Sequence, residues 1–196
     1  MGKYERLNQR GKELYNASRK IVNEQGMKAA LASEESRALD MESDCINHLF
    51  ECEIVGTYET IVAFAKENQF SRIVDIGAAY GHQSECALNE GIDYLGVDDA
   101  AHNFWNADKF KFLTARYPAP LPLEKGDLGV SVLCLTWGCY LSEGDKTLHE
   151  QCAALAKDFD HCVLYLAKDG REAMAQYFEN VTKLDDCLYY FSNKTA

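Results

Sequence analysis

The stretch from Arg72 to Asp99, RIVDIGAAYGHQSECALNEGIDYLGVDD, constrains this chain more than any other. It opens on Ile73-Val74-Asp75-Ile76, an apolar run long enough for a buried strand and too short for a helix. Gly77 and Gly81 follow, with Ala78 and Ala79 between them, so the chain can turn sharply and a ligand can approach the backbone. Residues 83 to 89 suit a helix that stops at Gly91. A second apolar run, Tyr94 to Val97, ends at Asp98-Asp99. The order is strand, glycine turn, helix, strand, acid: one βαβ unit.

Each part has a chemical reason. Parallel strands need a crossover of a dozen or more residues, and 77 to 93 supplies it. The glycine turn is expected to leave backbone N–H groups and a helix N-terminus facing the strand ends, a place for polar or anionic ligand groups. A carboxylate at the end of the second strand can accept hydrogen bonds from both hydroxyls of a ribose. The unit therefore suits a nucleoside-containing cofactor. NAD fits less well, because a dinucleotide fingerprint wants G-x-G-x-x-G and the second glycine position is Ala79.

With Asp75 two residues before Gly77, the stretch reads D-x-G-x-x-x-G. It resembles motif I of the class I S-adenosylmethionine-dependent methyltransferases. The resemblance implies a Rossmann-like fold with S-adenosylmethionine as cofactor. It further implies that Asp75, Gly77, Ala79 and Gly81 line the methionine end and that Asp98 holds the ribose. Ala79 stands where many members carry glycine. An acid after the third strand often contacts the adenine amino group in the family, and Asp127 in Gly126-Asp127 occupies that place in the order of the sequence.

Composition fixes the setting. The chain has 196 residues, 47% of them hydrophobic and 26% charged, as in a globular protein able to bury a core. No run approaches the ~20 apolar residues of a membrane span, and the first residues lack the apolar core of a secretory signal. Among the eight cysteines no two form C-x-x-C, and the pairs Cys45/His48 and His149/Cys152 supply too few ligands for a zinc site. Free, buried cysteines, no metal and a cytoplasmic location are the expectation. The net charge is −11, yet residues 1 to 30 carry a net of +4, so the rest is strongly acidic. An acidic body is a poor nucleic-acid binder, because phosphate contacts supply most non-specific affinity.

The remaining chain alternates helices and strands. Residues 3 to 25 suit a helix, and 27 to 32 a short one. An acidic segment from Ser33 to Glu53 overlies apolar positions Ile46, Phe50, Ile54, Tyr58, Ile61 and Ala65 at helical spacing. Residues 1 to 70 are thus expected to form a helical extension or cap, and 71 to 196 the sheet domain. Strands are predicted at 72–77, 94–98, weakly at 121–125, and at 130–135, 161–167 and 186–192. Helices are predicted at 102–117, 145–158 and 171–181. The pattern argues an α/β fold, a doubly wound, mostly parallel sheet. The methyltransferase fold ends in an antiparallel hairpin, whereas only one strand is visible after residue 181.

Ligands of open α/β sheets bind outside the carboxyl ends of the strands. By that rule Thr136, Trp137 and Tyr140, after the fourth strand, face the acceptor. Tyr140, His149 and His82 are the candidate proton acceptors. The segment Thr136-Trp137-Gly138-Cys139 lacks the [D/N]-P-P-[Y/F] of amino methylation of DNA bases. No Pro precedes a Cys, as cytosine-C5 chemistry requires, and no Lys-Asp-Lys-Glu set for ribose methylation is evident. A methyltransferase acting on a small molecule or a protein is the favoured reading. The alternative is a catalytically inactive methyltransferase-like binding or inhibitor protein with an acidic surface, consistent with the missing strand. The oligomeric state is not legible.

Overall fold

A computed structural model describes residues 8–25, 27–35, 38, 55–78, 81, 83–99, 110–132, 134 and 145–193. By packing, the chain divides into two units, residues 1–58 and 59–196. The division falls within a helix.

In the first unit, α1 (Gln9–Gln25) is followed by α2 (Met27–Ala32). Asn8 caps α1, its Oδ1 accepting the Gly11 N–H at 2.7 Å and satisfying one orphan donor of the first turn. The buried face of α1 runs through Gly11, Tyr15 and Ser18. Leu14 and Ile21 are only half-buried.

The second unit is a seven-stranded sheet. Its strands are β1 (Arg72–Ile76), β2 (Asp93–Asp98), β3 (Lys111–Thr114), β4 (Leu128–Val132), β5 (His161–Tyr165), β6 (Asn180–Asp185) and β7 (Leu188–Ser192). Their order is β3-β2-β1-β4-β5-β7-β6. β1 to β5 pair in parallel, while β7 runs antiparallel to both neighbours. β1 and β4 are buried along their whole length, as parallel strands covered on both faces must be. Among the described residues the helices are α3 (Val55–Glu67), within which the division falls, α4 (Ser84–Asn89), α5 (Asp145–Asp158) and α6 (Lys168–Met174). α3 buries Ile61, Val62 and Ala65, and its Phe64 ring lies 4.7 Å from that of Tyr190 on β7.

The structure corrects three expectations. The third strand lies at 111–114, inside the stretch predicted as helix, and 121–125 is not a strand. Phe110 and Phe112 belong to a period-two pattern along an edge strand, not to a helical face. The fourth strand ends at Val132, earlier than expected. The third correction is the C-terminal hairpin, which is present: β6 starts within the last two residues of the stretch predicted as helix and runs on through residues given no element. β6 is exposed at nearly every position, so it carries no apolar alternation that would reveal a strand. No described helix is long and apolar enough to cross a membrane.

Candidate active site

The candidate site is built on the end of β1. Ile76 pairs with Val97, so the chain leaves β1 level with the end of β2. Gly77 then takes φ +84° and Gly81 φ +73°, values that L side chains rarely adopt. The Val97 carbonyl accepts both the Gly77 N–H at 2.8 Å and the Ala78 N–H at 3.1 Å. The Gly81 N–H in turn donates to the Ala78 carbonyl at 2.8 Å. Three N–H groups expected to face a ligand are thus satisfied within the protein, two by β2 and one inside the turn.

Packing is as demanding as the dihedrals. A Cβ on Gly77 would lie 2.2 Å from Cys134 Cβ, beyond the end of β4. One on Gly81 would lie 2.5 Å from the Phe110 ring. On β2, a Cβ on Gly96 would meet Phe112 at 2.8 Å and Ala78 Cβ at 3.1 Å. Glycine at these positions is therefore required by close approach from three sides. Phe110 also packs edge-on against Tyr94, with ring centroids 5.3 Å apart.

Beneath the turn lies a buried polar cluster. Asp75 is wholly buried, and Gln83 and Tyr94 are 3% and 4% exposed. Gln83 Nε2 donates to Asp75 Oδ2 and to the Ala78 carbonyl, both at 2.9 Å. The Tyr94 hydroxyl donates to the same Asp75 Oδ2. Gln83 sits at the N-cap of α4 with helical backbone angles and gives that helix no side-chain cap. Its amide is directed into the cluster instead.

The predicted site residues separate into three groups. Gly77 and Gly81 form the turn, and Asp98, half-buried, ends β2 beside it, its carbonyl accepting the Ala115 N–H at 2.7 Å. Ala79, His82, Thr136, Trp137 and Tyr140 lie outside the described residues. Asp75, Asp127 and His149 are engaged elsewhere. Asp75 is closed off beneath the turn, contrary to the expectation that it lines it. Asp127 precedes β4 and sits beside Arg72 at the N-terminal ends of the strands, remote from the end where ligands bind. It accepts Arg72 Nε at 2.8 Å and Nη2 at 2.5 Å, so the adenine role expected for it is withdrawn. His149 Nδ1 lies 3.0 Å from the Tyr177 hydroxyl, tying α5 to the segment after α6.

At the C-terminal end of β5, burial raises the Tyr165 hydroxyl pKa, and a hydrogen bond with Cys187 adds to the effect. Gln83, Tyr94, Phe110 and Cys134 were not singled out by the sequence. The available signal was the burial of Asp75 within a strand, since a buried carboxylate requires donors.

No family model matches the sequence, and no curated protein does. Solved structures do match. Human N-acetylserotonin methyltransferase, in complex with SAM, aligns with TM-score 0.55 and 12% identity over 93% of this chain and 67% of its own. Magnesium protoporphyrin IX methyltransferase of Synechocystis PCC 6803, with bound SAM, aligns at 0.56 and 13%, over 92% and 97%. The 16S rRNA methylase RmtB aligns at 0.53 and 14%, over 93% and 75%. The chain has the class I methyltransferase fold. At these identities the likeness is one of fold, and the three neighbours are named for different acceptors. The β6–β7 hairpin completes the methyltransferase topology and removes the trimmed C-terminus that had favoured an inactive protein.

Proposed function

We propose that this chain is an S-adenosylmethionine-dependent methyltransferase acting on a small molecule or a protein side chain. The observation that carries the reading is the pairing of a positive-φ glycine turn after β1 with a carboxylate, Asp98, at the end of β2. This arrangement stands on a sheet of order β3-β2-β1-β4-β5-β7-β6. The turn through Gly77 and Gly81, with Ala79 between them, is assigned to the methionine end by its place after β1, while Cys134 and Phe110 fill the Cβ space of the two glycines. Asp98 is suited to accept the ribose hydroxyls. When bound, S-adenosylmethionine supplies a methyl group already activated on a sulfonium, so the protein's task is mainly positioning.

The net charge of −11 argues against a nucleic-acid acceptor held by its phosphates. Among the described residues five cysteines form no disulfide, which suits a reducing, cytoplasmic setting. Thr136, Trp137 and Tyr140, by their place after β4, remain the residues assigned to the acceptor side. The test is calorimetric titration of the full chain with S-adenosylmethionine, S-adenosylhomocysteine and, as control, NAD. Saturable heats from the first two and none from NAD are expected. Binding of NAD alone, or of none of the three, overturns the reading.

A further inference from the structure

The buried cluster under the glycine turn has a job that the resemblance does not assign. We infer that Asp75, Gln83 and Tyr94 form a latch that fixes the backbone of the turn after β1, so that Gln83 and Tyr94 are positioning residues for the cofactor. The inference rests on the methyltransferase reading of the site.

The argument starts from where the three residues come from. Asp75 is on β1, Tyr94 on β2, and Gln83 at the start of α4, so the cluster joins both strands and the helix that bracket the turn. Asp75 pairs with Gly96, and Tyr94 stands two residues before it on the same face of β2. With no side chain at Gly96, Ala78 can settle against the sheet there. The Gln83 amide then spans the gap, one nitrogen donating both to Asp75 and to the Ala78 carbonyl.

The Ala78 carbonyl also receives the Gly81 N–H. The turn is therefore fixed at one carbonyl by the helix start and by its own last glycine. Its other anchor is the Val97 carbonyl. Asp75 fixes the Gln83 amide in this role, and the Tyr94 hydroxyl on the same oxygen fixes Asp75. A wholly buried carboxylate cannot reach a ligand without opening the turn. Its influence on binding passes through the backbone of Gly77, Ala78, Gly81 and Gln83. Burial makes the cluster costly to disturb, because each partner removed leaves a desolvated polar atom behind.

The experiment uses the full chain and two near-isosteric substitutions, Tyr94→Phe and Gln83→Met. Two quantities are read: amide hydrogen exchange of residues 77 to 84 without ligand, and the Kd for S-adenosylhomocysteine. Both variants should exchange faster in that segment and bind about tenfold more weakly, with β4 and β5 amides unchanged. Wild-type affinity despite faster exchange would make the latch a structural device and overturn the positioning role. Unchanged exchange would overturn the latch itself. If either variant unfolds, the other carries the test, since each removes a different bond to the same carboxylate oxygen. Failure of the wild-type chain to bind S-adenosylhomocysteine would sink the methyltransferase reading, and the cofactor role with it. Faster exchange in the variants would then still report the latch on its own.

Discussion

Arg72 and Asp127 close a buried, bidentate ion pair across the N-terminal ends of two adjoining parallel strands. Their side chains are 8% and 5% exposed. Arg72 also donates to Glu124 Oε1 at 2.8 Å and to the Pro122 carbonyl at 3.0 Å, while Asp127 Oδ2 accepts the Glu124 N–H at 2.7 Å. The hydrogen bond and charge of Asp127 outweigh desolvation and raise the Arg72 pKa above its ordinary value, keeping the guanidinium charged.

Removing one member of such a pair leaves the other charged and buried. Asp127→Ala should therefore destabilise the protein by about 3 kcal/mol in urea denaturation. Glu124→Ala, whose carboxylate is 71% exposed, should cost under about 1 kcal/mol. Neither change should alter the affinity for S-adenosylhomocysteine. A Kd that moves with Asp127→Ala would return that residue to the cofactor site.

Asp98→Ala should weaken S-adenosylmethionine binding by about 1.5–3 kcal/mol, the range for losing charged hydrogen bonds. Asp99, the exposed next residue, lies beyond the end of β2 and is the internal control. Equal calorimetric affinities for wild type and Asp98→Ala would remove Asp98 from the site.

The glycines separate strain from overlap. Gly126 has φ +90° with no atom within 4 Å of a built Cβ, so Gly126→Ala should cost only the left-handed strain, about 1–2 kcal/mol. Gly77→Ala adds a collision with Cys134 and should cost more. Gly77→Val and Gly81→Val should abolish cofactor binding while the circular dichroism of the fold persists. Normal binding by both valine variants would make the turn purely structural.

Alkali should unfold this protein through its buried thiols and phenol. Burial pushes the Cys152 thiol from an ordinary 9.0 up to about 11. Burial first, and then Asp158, also raises Cys162 and Tyr117. A folded pKa above the unfolded one gives stability that is complete below about pH 9 and is lost as the pH climbs towards about 11. Cys152 alone accounts for roughly 2 kcal/mol. Urea midpoints should be level from about pH 7 to 9 and fall beyond; a level midpoint up to pH 11 would contradict the burial of these groups.

How much of this was legible in the sequence depends on the range of the interaction. The βαβ unit reads directly, because strand, turn and helix signals sit within a few residues of one another. β3 was misread because Phe110, Phe112 and Leu113 fit a helical face as well as an alternating edge strand. β6 was missed because an exposed strand has no apolar period at all. Asp127 was misassigned for a topological reason: a Gly-Asp turn looks the same at either end of a sheet. The latch lay out of reach, since Asp75 meets Gln83 and Tyr94 at separations of 8 and 19 residues, and nothing local couples them.

β7 lies between β5 and β6, although it follows β6 in the chain. During synthesis β5 therefore has a neighbour on one side only until residues 188 to 192 have left the ribosome. The hairpin must then arrive with β6 already attached to β7, or β7 must slide in between two waiting strands. The first route is the simpler, because the tight Asp185–Leu188 connection lets β6 and β7 pair locally before docking. Until that moment the edge of β5, an apolar strand with unpaired backbone groups, is open to any other extended chain. A ribosome stalled before Leu188 would release a sheet with a sticky inner seam, which makes the final hairpin a clasp against aggregation.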